Sequence, residues 1–213
     1  QTGNVTGSLM GPLLGGVLAD TFGFSSTFHL IAIPLFLTGI FVLIGLKEVK
    51  LEDKKEKQKT YTSREVFAFI VKQPMLLTTM FVAMFVQIAH FSIQPVLSLY
   101  VAALHGPVNI AFFSGLAFSI TGLGNLLMSR RWGRFGDKFG YDKILVFLLL
   151  GAAIVYFPGG FVTNIWQLII LRFMLGLTLG GIIPVRTAYI RQAAPISIQG
   201  EVLGYNTSFR FLG

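Results

Sequence analysis

The 213 residues include no cysteine, which excludes disulfides and thiolate metal sites. Charge is scarce as well: 12% of the residues are Asp, Glu, Lys or Arg, and the 9 acids are outnumbered by 17 bases. With 54% hydrophobic residues and a mean hydropathy of +0.72, too little polar surface is left to clothe a water-soluble globule. No histidine pair at metal spacing, serine elbow or phosphate-cradling glycine loop occurs, so a membrane enzyme or receptor finds no constellation to support it. No metal and no cofactor is expected. The front lacks a basic n-region and a cleavage site, and the chain reads as an internal piece of a longer polytopic protein.

Long apolar runs are what the chain does have. His29 to Leu46, Met75 to Leu104, Val108 to Ser129 and Ile144 to Phe161 carry no charge, and each approaches or exceeds the ~20 residues that cross a bilayer. Each is expected to be a helix, because hydrocarbon offers a backbone no partner but itself. Gly3 to Leu18, Ile165 to Tyr189 and Val202 to Gly213 are less plain. Together they make about seven spans, the outer two clipped. The fold class is an all-α membrane protein, a polytopic helix bundle.

Orientation follows from where the bases lie. Eight Lys/Arg fall between Lys47 and Lys72, five between Arg130 and Lys143, and Arg186 and Arg191 close the sixth segment. The intervening connections, Asp20 to Thr27, His105 to Pro107 and Val162 to Asn164, contain none. This alternation follows the positive-inside rule and puts the basic regions in the cytoplasm. Topology thus accounts for the basic clusters, and nucleic acid is not expected as a partner. The polar stretch after Lys47 mixes both signs without an apolar period until Val66 and reads as a solvated linker. At its end, Thr62 and Glu65 have capping-box spacing and open a short helix through Lys72, expected at the membrane surface before Pro74.

Glycines at 3, 7, 11 and 15 stand four apart, drifting only about 40° per step around a helix. They make one smooth stripe, which serves either ordinary small-residue packing or a moving interface where a neighbouring backbone comes near. Pro12 within it removes a backbone donor and predicts a bend. The set Gly7, Gly11, Pro12, Gly15 and Gly16 resembles the antiporter motif in the fifth helix of major facilitator superfamily drug exporters.

Two further stretches resemble the same superfamily. Residues 133 to 145, "GRFGDKFGYDKIL", are similar to its cytoplasmic loop signature, with Gly133, Asp137, Lys138, Gly140 and Leu145 in register. They depart from it at Phe135, Gly136 and Tyr141-Asp142, as a second-half copy of the loop would. In "LIILRFMLGL", Arg172 and Gly176 resemble the superfamily's fourth-helix pattern, here repeated in the tenth. A fourth stretch, "GVLADTFGF" at residues 16 to 24, imitates the loop signature but has no base and lies on the outer side, so Asp20 is given no such role.

The resemblance implies a partial major facilitator fold running from helix five to the start of helix eleven. Residues 1–46 would be the last two helices of the N-terminal half, 47–73 the cytoplasmic linker with its short interfacial helix, and 74–213 the C-terminal half, truncated in its fifth helix. It also implies a gating loop in which Asp137 accepts from a helix N-terminus or an arginine and Lys138, Arg134 or Arg131 reaches carboxylates or lipid heads. The alternative is a basic loop that only sets orientation.

Within the third span, Gln87, His90 and Gln94 recur at helical spacing on one face, beside Pro95. They either line a substrate path, with Asn125 of the next span, or hydrogen-bond between helices. Arg172 lies six residues after Trp166, about 9 Å inward along a helix. At that depth it either faces a partner or wet cavity or snorkels to the surface. No Asp or Glu lies deep in a span, so a coupling carboxylate would sit outside this chain.

The function expected from the resemblance is proton-coupled efflux of hydrophobic or cationic drugs by alternating access. The alternative is uptake of a small nutrient by the same fold. The expected setting is a bacterial cell membrane and the expected partners are a small hydrophobic substrate, protons and lipid, with the protein working as a monomer.

Overall fold

The computed structural model describes residues 2–45 and 61–212. Most of the linker falls outside the described residues. The chain forms α1 (Thr2–Gly45), α2 (Ser63–Lys72), α3 (Pro74–His105), α4 (Ile110–Phe139), α5 (Tyr141–Tyr156), a 3-10 turn (Phe157–Phe161), α6 (Ile165–Ala193) and α7 (Gln199–Phe211). Among the described residues there is no strand.

Five of these helical stretches are long and apolar enough to cross a membrane: Thr6–Gly45, Pro74–His105, Ile110–Phe139, Tyr141–Phe161 and Ile165–Ala193. The first holds two of the expected spans. The expected connection from Asp20 to Thr27 is not a loop; it shrinks to one break at Gly23, whose φ of 79° and ψ of 162° end one helix and start the next. A positive φ of this kind is open to glycine at little cost. α7, in the last expected span, has 13 residues, fewer than the ~20 that cross a bilayer.

α4 and α6 form the centre. They cross where both lack side chains: a Cβ on Gly176 would strike the Thr121 carbonyl, one on Gly124 would lie 2.6 Å from the Phe173 carbonyl oxygen, and one on Gly180 would lie 2.8 Å from the Asn125 Cα. Close backbone approach of this kind is the main source of helix association in lipid. The Trp132 indole donates to the Leu177 carbonyl at 2.7 Å and ties the same pair nearer the basic end.

The linker's short helix is present, and the Glu65 carboxylate accepts the Thr62 backbone N–H at 2.8 Å, the return half of the capping box. Its apolar stripe faces protein. Val66 and Ile70 are buried with Leu76, Met80, Ile190 and Val202, so the helix docks onto α3, α6 and α7. The Tyr205 hydroxyl fastens it further by donating to the Ser63 carbonyl at 3.1 Å.

The loop signature is also mostly helix. Gly133, Asp137 and Lys138 belong to the last turns of α4, and the connection to α5 is the single residue Gly140, at φ 95°.

Candidate transport cavity

A cavity of about 290 Å³ lies where α1, α3, α4, α6 and α7 meet. α3 contributes Gln87, His90 and Gln94, so the polar face read from the sequence is turned into it. α4 adds Phe118, Thr121 and Asn125, and α1 adds Ser8 and Pro12. α6 supplies Arg172 and Arg186 with Leu179 and Ile182 between them, and α7 supplies Arg210. Gln87, His90, Gln94, Asn125 and Arg172 therefore share one space.

Arg172 does not reach out to the surface: it is 5% exposed. It also borders a second cavity of about 290 Å³ between α3, α5 and α6, lined chiefly by apolar residues with Tyr100 and Tyr156. The Tyr100 hydroxyl lies at one end of that space, donating toward the Gly159 and Val162 carbonyls at 3.0 and 3.1 Å.

Two arginines of the main cavity escaped the sequence reading. Arg186, assigned there to the cytoplasmic end of its segment, is 3% exposed and turned inward. Arg210 had drawn no notice; its guanidinium stands 4.7 Å from the Phe211 ring while bordering the cavity. The signal for Arg186 was available, since it follows Arg172 by two heptads and heptad spacing keeps residues on one helix face.

Glycines of the antiporter-type motif behave unlike the single stripe expected. An added Cβ on Gly7, Gly11 or Gly15 would meet nothing within 4 Å in the described chain. The close approach is made instead by Gly16, where a Cβ would strike the Ala111 carbonyl of α4. α4 returns the arrangement with Gly115 against the Pro12 carbonyl and Gly122 with 3.3 Å between a Cβ and the Leu9 Cα. Pro12 is thus at once a packing residue and a wall of the cavity.

This seam carries a polar tie as well. The Asp20 carboxylate accepts the Phe112 backbone N–H at 2.7 Å, in the first turn of α4 and 92 residues away in sequence. A carboxylate at a helix N-terminus meets both unsatisfied N–H groups and the positive end of the helix dipole. The stretch set aside as an imitation of the loop signature therefore does at the non-basic end what was expected of Asp137 at the basic end.

Asp137 has a nearer partner. The Tyr141 hydroxyl donates to its carboxylate across the Gly140 turn. Tyr141 fits there because Gly136 has no side chain, a Cβ at that position lying 2.5 Å from the tyrosine ring. Two departures from the family signature, Gly136 and Tyr141, are thus one packed unit. Lys138 turns to its neighbour, with Nζ 5.2 Å from the Phe139 ring centre. Gly133 faces open space.

The family model described as "Major Facilitator Superfamily" matches residues 1–131 and 110–213. The chain belongs to the major facilitator superfamily. It is 51% identical over 213 residues to the "Uncharacterized MFS-type transporter YuxJ" of Bacillus subtilis (strain 168), covering 100% of this chain and 54% of the relative. It is 40% identical over 215 residues to "Multidrug resistance protein MdtG" of Escherichia fergusonii, covering 100% of this chain and 52% of that protein. The MdtG of Salmonella typhimurium (strain LT2) is 38% identical, with 100% and 52% covered. The chain spans about half the length of the curated relatives it matches. It is a multi-pass membrane transporter chain of this superfamily.

Proposed function

We propose that this chain forms part of a drug exporter that moves hydrophobic compounds across a bacterial cell membrane by alternating access, driven by protons. In this reading residues 1–46 end one half of the transporter, 47–73 link the halves, and 74–213 belong to the other. The basic connections face the cytoplasm, as the charge alternation requires.

One observation carries the proposal: the seam between α1 and α4 is closely packed, with a carboxylate tie at its non-basic end, beside a polar cavity that both helices border. Gly16 against Ala111 and Asp20 on the Phe112 N–H belong to the seam. Gln87, His90, Gln94, Asn125 and Arg172 line the cavity. A site near mid-membrane between two halves, alternately sealed on one side, is what a rocking transporter needs. The relatives named for multidrug resistance favour drugs over a nutrient. Among the described residues no Asp or Glu lines the cavity, which supports a coupling carboxylate on the rest of the protein.

The test is dye transport by the full-length protein in inverted vesicles with an imposed pH gradient, with and without an ionophore that collapses it. Accumulation that disappears with the gradient is the expected result. A folded, inserted protein that moves no hydrophobic dye contradicts drug export and favours uptake of a small nutrient by the same cavity.

A further inference from the structure

The wall that this chain gives the main cavity is cationic and holds no acid. Arg172, Arg186 and Arg210 border it, and among the described residues no Asp or Glu does. Arg186, at 3% exposure, is the most deeply buried of the three, and its Nε–H finds no acceptor among the described residues. The Nε–H of Arg210 is likewise buried without an acceptor. Buried polar groups are almost always paired, and these two arginines border a cavity whose occupant can supply the partner their guanidinium groups lack among the described residues. Water can accept the hydrogen bonds but brings no charge, and an uncompensated buried guanidinium is costly. The planar guanidinium fork fits a carboxylate or sulfonate edge, two oxygens to two N–H groups.

We propose that the compound carried in this cavity bears an anionic oxygen group on an apolar body. Arg186 and Arg210 receive the anionic group, and Phe118, Leu179 and Ile182 pack against the body. Gln87, Gln94 and Asn125, able to donate or accept, tolerate variation in its remaining polar atoms. The proposal rests on the reading of this cavity as the transport site and names the charge of its occupant, opposite in sign to the cationic drugs that the resemblance implied.

The experiment compares two dyes built on one ring system, an anionic sulforhodamine and a cationic rhodamine ester, in inverted vesicles holding the full-length protein. Binding to the purified protein is followed in parallel by fluorescence anisotropy. The sulforhodamine is expected to bind and accumulate. Arg186→Gln is expected to lower both at least about tenfold, the worth of one charge-assisted hydrogen bond. Rhodamine ester transport should fall by a clearly smaller factor than sulforhodamine transport. Arg186→Lys should fall between, keeping the charge and losing the fork. Should Arg186→Gln not fold, the half-buried Arg210→Gln gives the same comparison.

Transport of the cation alone, with no sulforhodamine bound, overturns the proposal and leaves drug export standing. The arginines would then answer carboxylates from the rest of the protein. Equal loss of both dyes in folded arginine variants also overturns it, since the arginines would then serve turnover without reading charge. Failure to bind or move either dye overturns the anion proposal and the export reading together.

Discussion

Two stretches of nearly equal hydropathy are packed differently within this chain. The most apolar window of Thr6–Gly45 has a mean hydropathy of 2.3 and buries 0% of its residues, whereas that of Ile165–Ala193 has 2.1 and buries 44%. Hydropathy places both in the membrane and separates neither from the other. What separates them is what interrupts the apolar run. α6 carries Gly176, Gly180 and Gly181 for close approach and Arg172 and Arg186 for the interior. The segment after Gly23 offers Phe28, Leu35, Phe36, Phe41 and Leu43 outward, with no charge and no glycine in close contact with another helix. In hydrocarbon an apolar side chain gains nothing by leaving lipid for protein, so small and polar residues choose the interior helix.

The comparison breaks most easily at the α4–α6 crossing. Gly176→Leu places a branched side chain where a Cβ alone would strike the Thr121 carbonyl, and is expected to cost about 3 kcal/mol or more. Gly39→Leu, where nothing of this chain lies within 4 Å, should cost less than Gly176→Leu. Folded yield and thermal stability of the full-length protein in detergent would measure the contrast. Equal losses would show that glycine placement does not distinguish the two stretches.

A second contrast lies within the antiporter-type motif. Gly16→Leu should abolish dye transport with the protein still inserted, because Gly16 abuts the Ala111 carbonyl of α4. Gly11→Leu, which meets nothing in this chain, should retain more transport than Gly16→Leu. The reverse order would mean that the open glycine stripe carries the moving interface. Asp20→Asn comes next: it weakens a charge-assisted bond worth about 1.5 to 3 kcal/mol, less solvent screening at this exposed site. Transport should persist with the outward-facing population raised, read as faster labelling of a cavity cysteine from outside. The smallest effect is expected at Gln94→Ala, a shift in preference among dyes of about two- to fivefold, or up to about 1 kcal/mol. Uniform activity across a compound panel would return Gln94 to helix packing.

Periodicity was the legible part of this molecule. Helical spacing put Gln87, His90 and Gln94 on one face, and the structure turns that face into one cavity; the Thr62 and Glu65 spacing announced the start of α2. Spacing identifies residues that share a face and not the neighbour that face will meet. Hence the glycine stripe was visible while its partner was not, and the actual contact fell to Gly16 on the adjoining face. Asp20 was set aside because its stretch has no base and falls among the non-basic connections; its partner, an N–H 92 residues away, lies beyond any local pattern. Arg186 was absorbed into a count of basic residues, since the positive-inside rule weighs a charge by its place along the chain and not by its direction. The connections expected at Asp20 to Thr27 and after Gly133 proved to be single glycines because a positive φ turns the chain in one residue.

The central claim is that the α1–α4 seam opens and closes over the cavity. This chain has no native cysteine, so Gln94→Cys gives a single label within it. The decisive measurement, on full-length protein otherwise free of cysteine, is its reaction rate with a membrane-impermeant maleimide applied from the outer side. Slow labelling at rest, made faster by Asp20→Asn and by conditions of active turnover, is the predicted result. A rate unchanged by either would contradict the account, because the seam would then be a fixed wall.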